Sequence, residues 1–158
     1  MDKKLSHINE EGKAVMVNVG AKEITKRSAT ARTIIDLPEV ILNAVVDGEI
    51  RGKKGPVFEV ARLAGIMGVK RTSDLIPMCH PLSVDGIDID ISMQDKKVNI
   101  ECTVSCTGKT GVEMEALTGS TVAALTIYDM CKALSHEIVI EKTELVHKSG
   151  GKSEYQKA

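Results

Sequence analysis

The chain has 158 residues, 42% of them hydrophobic and 27% charged, with a net charge of −1. That suits a single domain, residues 1–158, with a real core, and it argues against global attraction to nucleic acid or an anionic membrane. There is no Trp, and the other aromatics are Phe58, Tyr128 and Tyr155, too few to build stacking platforms for single-stranded nucleic acid. No apolar run approaches the ~18 residues of a membrane span. The first sixteen residues hold no signal-type apolar block. A soluble, cytoplasmic protein with no nucleic-acid or membrane partner is expected.

Residues 1–13 are charged and unpatterned and read as a mobile arm. Val15, Val17 and Val19 alternate as a short strand would, and Lys22 to Ile35 reads as a second strand. Asp36 and Glu39 have capping-box spacing and Pro38 suits a first turn, so a helix is expected over 37–47, ended by Gly48. The link 48–55 carries Arg51, Lys53 and Lys54 among glycines and reads as flexible. Pro56 opens the next helix, with Val57, Val60, Ala61 and Ala64 on its buried face, ending near Gly68.

Pro77 and Pro81 bracket Met78, Cys79 and His80, stiffening the backbone around a titratable side chain. A lone His is often only a satisfied structural residue, but a stiffened loop is also what a preorganised site needs. Over 84–93, Ile87, Ile89, Ile91 and Met93 alternate with Asp88, Asp90 and Ser92. Over 98–107, Val98, Ile100, Cys102, Val104 and Cys106 alternate with polar residues. The two form a hairpin with one apolar face. Thr103, Ser105 and Asp90 would meet solvent or another subunit.

Residues 107–134 open with a polar, glycine-bracketed loop and continue as one long helix. Thr110 and Glu113 make a capping box. Leu117, Thr121, Ala124, Tyr128 and Cys131 form the expected core stripe. Gly119, Ser120, Ala123 and Ala124 are small enough for another element to approach closely. Asp129 and Lys132, three apart, are neighbours on one flank. Spacing alone supports a surface ion pair worth ~0.3–0.5 kcal/mol. The alternative is a proton-transfer couple. A last strand follows through Ile138, Ile140, Leu145 and Val146, bent near Lys142, and 149–158 form a basic flexible tail.

Strand–helix–helix–strand–strand–helix–strand is a ferredoxin-like α+β pattern with one extra helix, the helices on one face of an antiparallel sheet. Cys79, Cys102, Cys106 and Cys131 include no Cys-x-x-Cys pair. Three of the four therefore read as core thiols, and no metal site or cofactor is expected. Gly108-Lys109-Thr110 and Gly151-Lys152-Ser153 mimic the end of a phosphate loop, but Thr103 and Val146 stand where its first glycine belongs. Gly-rich backbone beside lysines can still hold an anion.

Five blocks carry a specific resemblance: Ser6–Asn9, Ala61–Ile66, Leu75–Leu82, Gly108–Leu117 and Thr126–Ala133, with Lys148–Ser153 closing the chain. Together they resemble the MoaC family of molybdenum-cofactor biosynthesis. The resemblance implies a ferredoxin-like enzyme that turns a cyclised dihydroguanosine triphosphate into cyclic pyranopterin monophosphate and releases diphosphate. It implies acid–base roles for Lys132 and Asp129, and catalytic roles for Lys54 and Lys148. It implies substrate binding by Met78, Cys79, His80, Glu113, Met114, Glu115 and Arg27. The basic tail adds Lys152 as a candidate for the phosphates. Between Lys53 and Lys54 the choice stays open, as does whether Glu113 is a cap or a ligand. A homohexamer, a trimer of dimers with sites at the dimer interface, is implied as well. Two other classes fit such a domain: an oligomeric nucleotide-binding regulator without chemistry, and a metal-dependent hydrolase using Cys79 and His80.

Overall fold

The computed structural model describes residues 5–158. Its main sheet is built from β1 (Thr25–Asp36), β5 (Gly86–Gln94), β6 (Lys97–Gly108), β7 (Val139–Ser149) and β8 (Tyr155–Gln156). The strand order is β5-β6-β1-β7-β8, with every neighbouring pair antiparallel. Two helices cover one face, α2 (Val57–Lys70) between β1 and β5, and α4 (Glu113–Cys131) between β6 and β7. This is the ferredoxin-like α+β arrangement.

The β5–β6 hairpin stands as its alternation predicts. Asp95 and Lys96 both have positive φ, 51° and 65°, so a two-residue turn of the hairpin-favoured hand joins Gln94 to its partner Lys97. Ala29, Ala31 and Ile35 of β1 and Val98, Ile100, Cys102 and Val104 of β6 bury one face against α4. On the other face Thr30 and Thr103 share a 2.8 Å hydrogen bond, and Arg32 donates to Glu101 at 2.7 and 2.9 Å. In the core, the hydroxyl of Thr33 meets those of Ser120 and Thr143, each at 2.9 Å, so its burial costs no orphaned group.

The helices nearly touch at their backbones. A Cβ added to Gly119 would lie 2.6 Å from Val69 Cγ2 and 2.7 Å from Cys102 Sγ, and one on Gly65 would lie 2.9 Å from the Gly119 carbonyl. The buried side of α4 runs through Ala116, Ser120, Ala123, Ala124, Ile127 and Cys131. It is turned from the expected stripe: Leu117, Thr121 and Tyr128 are only half-buried.

Several local expectations fail. Val15, Val17 and Val19 form no strand; just before them lies an isolated bridge between Ile8 and Ala14. The helix expected over 37–47 shrinks to α1 (Glu39–Leu42), because Asp36 is the last residue of β1, paired with Lys97 and Val139. Val45–Val46 (β2), Glu49–Gly52 (β3) and Gly55–Pro56 (β4) then build a small separate sheet where a helix end and a flexible link were expected. Neither helix uses the capping box predicted for it. The α1 cap is Pro38 and the α4 cap is Val112, neither with a side-chain hydrogen bond. Residues 72–75 add a single turn, α3 (Thr72–Leu75). The β7 register shifts twice, once opposite Ile34/Ile35, which is the bend expected near Lys142. The basic tail returns as β8 beside His147 and Lys148. Of the arm expected over 1–13, residues 1–4 lie outside the described residues; Asn9 ties the rest into a turn by accepting from the Glu11 and Lys13 amides at 3.1 and 2.9 Å.

Candidate active site at the two ends of one helix

Helix α4 is a bar of 19 residues, roughly 28 Å long, with a cavity against one end and a cluster of charged side chains at the other. At its N-terminal end the loop 76–82 and the first turn line an open cavity of about 340 Å³. Its walls include Met78, Cys79, His80, Met114, Glu115 and Lys152. An adjoining cavity of about 380 Å³ is lined by Lys22, Arg27, Ser28, Lys148 and Ser149. The two share Ser6, Lys22, Gly111, Glu113 and Lys152 and so form one continuous cleft.

Glu113 spans that cleft and accepts from Lys148 Nζ at 3.0 Å. Its Oε1 is thus turned toward β7, while Oε2 lies over Gly111. Arg27 Nε donates to the Gly108 carbonyl at 3.0 Å. The close pairing of β1 with the end of β7 holds Arg27 and Lys148 in one wall. Gly150 makes this possible: its φ is +81°, and a Cβ there would lie 1.8 Å from the Lys26 carbonyl oxygen.

Glu115 is only 4% exposed, and burial raises its pKa. Burial raises the Cys79 thiol too, with Glu115 adding to the effect. A carboxyl whose folded pKa lies above its ordinary value of 4.5 favours folding fully below that value. That contribution is lost as pH rises through the raised folded value. Glu115→Gln is accordingly expected to raise the unfolding temperature at pH 7 by roughly 2–4 °C, about 1 kcal/mol. The gain should vanish in scans well below pH 4.5, where the wild-type group is neutral in both states. An equal gain at every pH would contradict a buried charge as the cause.

At the C-terminal end, Lys132 Nζ donates to Asp129 Oδ1 at 2.7 Å, and Lys54 Nζ lies 3.6 Å from Asp129 Oδ2. The hydrogen bond from Lys132, then its charge and that of Lys54, hold the Asp129 carboxyl below its usual range. The same bond holds the Lys132 ammonium above its own. All three side chains are half-exposed or more. Of the two candidate lysines of the 48–55 segment, Lys54 is the one beside Asp129.

The candidates therefore fall into two groups. Arg27, Met78, Cys79, His80, Glu113, Met114, Glu115, Lys148 and Lys152 line the cleft, whereas Lys54, Asp129 and Lys132 gather at the far end. Glu115 and Asp129 are 14 positions apart, roughly 21 Å along the axis. Among the described residues no three His, Cys, Asp or Glu side chains gather as a metal site would require.

The MoaC family model matches residues 16–151, which hold both groups except Lys152. The chain belongs to the MoaC family. The cyclic pyranopterin monophosphate synthase of Peptoclostridium acidaminophilum is 49% identical over 148 residues, 94% of this chain and 93% of its own. That of Staphylococcus carnosus (strain TM300) is 54% identical over 151 residues, 94% of this chain and 92% of its own. Molybdenum cofactor biosynthesis protein 1 of Drosophila melanogaster is 47% identical over 155 residues, 97% of this chain but 27% of the longer protein.

In this MoaC-family chain, sequence reasoning missed Lys22, which lines both cavities, and the lining roles of Ser6, His7, Val17 and Val19. Ser6-His7 was visible as a matched block. Lys22 carried no signal beyond its charge, and the valines signalled a strand.

Proposed function

We propose that this chain is a cyclic pyranopterin monophosphate synthase of molybdenum-cofactor biosynthesis, acting in the cytoplasm. Its substrate would be a cyclised dihydroguanosine triphosphate, and diphosphate its second product. The observation that carries this reading is the pairing, on one helix of a MoaC-family chain, of a lysine-rich cleft with a Lys–Asp–Lys cluster.

A triphosphate that loses diphosphate needs positive charge on its leaving group. Lys148, Lys152 and Arg27, with Lys22 beside them, supply it from the cleft wall. His80, Met78, Cys79, Met114 and Glu115 form the more apolar half, suited to the flat ring system. Ring rearrangement requires proton transfers. Lys132, hydrogen-bonded to Asp129 at 2.7 Å, enters as the proton-transfer group. Asp129, kept ionised, orients it, and Lys54 adds a second cation at 3.6 Å.

A nucleoside triphosphate is shorter than the roughly 21 Å between Glu115 and Asp129. One bound molecule therefore reaches both groups only if a second copy brings its Asp129, Lys132 and Lys54 to the first copy's cleft. A two-fold axis does this for two sites at once. A homohexamer built as a trimer of such dimers fits that requirement.

Incubating the purified protein with the cyclised triphosphate tests the assignment. Catalytic release of diphosphate, many equivalents per chain, is the expected result. Tight binding of one equivalent without release would instead make the protein a nucleotide-binding regulator.

A further inference from the structure

Lys54 sits where the chain has the least to hold it. Strands β3 and β4 pair through Arg51 with Pro56 and Gly52 with Gly55, leaving Lys53 and Lys54 as the two-residue tip of a small hairpin. Gly55, at φ +106°, supplies the left-handed step this tip needs. Both lysines are exposed. A tip of this kind, held by two residue pairs, has no intrinsic reason to stay within 3.6 Å of Asp129.

The base of the hairpin is held by Glu49. Its Oε1 accepts from its neighbour's amide, Ile50 N, at 2.7 Å and from Phe58 N at 2.8 Å, and its Oε2 accepts from Glu59 N at 3.3 Å. Phe58 and Glu59 are in the first turn of α2, where backbone N–H groups lack partners within the helix. Pro56, the residue at the cap, offers no side-chain acceptor. Glu49 therefore caps α2 from nine positions upstream, and its negative charge suits the positive end of the helix. Ile50, 4% exposed, anchors the same strand in the core. The Glu49 charge also adds to the raised pKa of the Cys131 thiol, after burial.

We propose that Glu49 is a positioning residue for Lys54: by tying the hairpin base to the start of α2, it delivers the Lys54 ammonium to Asp129 at the end of α4. This rests on the catalytic reading of the Lys54–Asp129–Lys132 cluster. Glu49 touches neither substrate nor the cluster and acts through the hairpin alone.

Steady-state turnover of full-length Glu49→Ala, Lys54→Ala and the double variant tests it. Displacement of a catalytic group by about an ångström is enough to cost up to about 100-fold. Glu49→Ala is expected to lower kcat about 10- to 100-fold with KM within about twofold. In the Lys54→Ala background the same change should cost less than about twofold, because the group it positions is already gone. Glu49→Gln keeps an oxygen for the Phe58 amide and should recover most of the rate. If Glu49→Ala does not fold, Glu49→Asp, with the charge kept and the reach shortened, carries the same comparison. Losses that multiply in the double variant would overturn the proposal and assign Glu49 to the fold alone. Normal turnover by Lys54→Ala would overturn it by a different route, since the catalytic reading itself would then have failed.

Discussion

Replacing Lys132 with alanine is expected to lower single-turnover diphosphate release by about 10²–10⁴-fold, the usual worth of a positioned acid–base group. The fold should not notice. Lys132 lies just past the last turn of α4 with its side chain half-exposed, and its pair with Asp129 is open to solvent. Solvent-exposed pairs of this kind contribute little to stability, so the unfolding temperature should hardly move. Lys132→Arg separates the two things a lysine can supply. Arginine keeps the charge but does not release a proton at working pH. It should therefore fail nearly as badly as alanine. Near-normal release by Lys132→Arg would show that only charge is needed at this end of the helix.

Gly150→Ala is expected to raise the substrate KM at least tenfold, through backbone geometry rather than lost chemistry. At φ +81° an L side chain is strained by about 1–3 kcal/mol. In addition its Cβ would fall 1.8 Å from the Lys26 carbonyl oxygen, a backbone atom that cannot yield without moving β1. Moving apart there breaks the 2.8 Å bond from Thr25 Oγ1 to the Gly150 carbonyl. It also separates Arg27 from Lys148, two of the cations proposed to hold the triphosphate. Gly151→Ala is the control: its Cβ would meet only the flexible end of Arg27, at 3.3 Å, and a much smaller rise in KM is expected. Substrate titrations of both variants decide the matter. Equal KM values would mean that the close β1–β7 approach has no part in binding.

What could be read before folding depended on the range of the interaction involved. The β5–β6 hairpin was plain, because alternation over two strands and a short polar turn are local signals. Asp36 and Glu39 have the spacing of a cap, yet Asp36 is committed to Lys97 and Val139 across the sheet. Thr110 and Glu113 have it too, but Glu113 is taken by Lys148 from 35 positions away. In both cases a long-range partner outcompetes a local motif, and spacing carries no trace of it. Val15, Val17 and Val19 alternate without being a strand. Val17 and Val19 instead line the cleft, so an apolar face was read correctly and its neighbour was not. The residue types of the site were legible in the matched blocks. The small sheet that presents Lys54, and its latch at Glu49, were not, since Glu49 works by reaching two amides at the start of another element.

The most direct measurement mixes two variants that are each expected to be inactive. Glu115→Ala removes the cleft end of α4 and Lys132→Ala the far end. If each working site takes its cleft from one copy and its Lys–Asp–Lys cluster from another, hetero-oligomers contain some sites with neither defect. Dissociating the two variants, reassembling them together and isolating the verified mixed oligomers should then restore a measurable fraction of wild-type diphosphate release. Each variant reassembled alone should stay inactive. Complete inactivity of the mixed oligomers would contradict the shared site, and with it the account of how one helix serves one substrate from both of its ends.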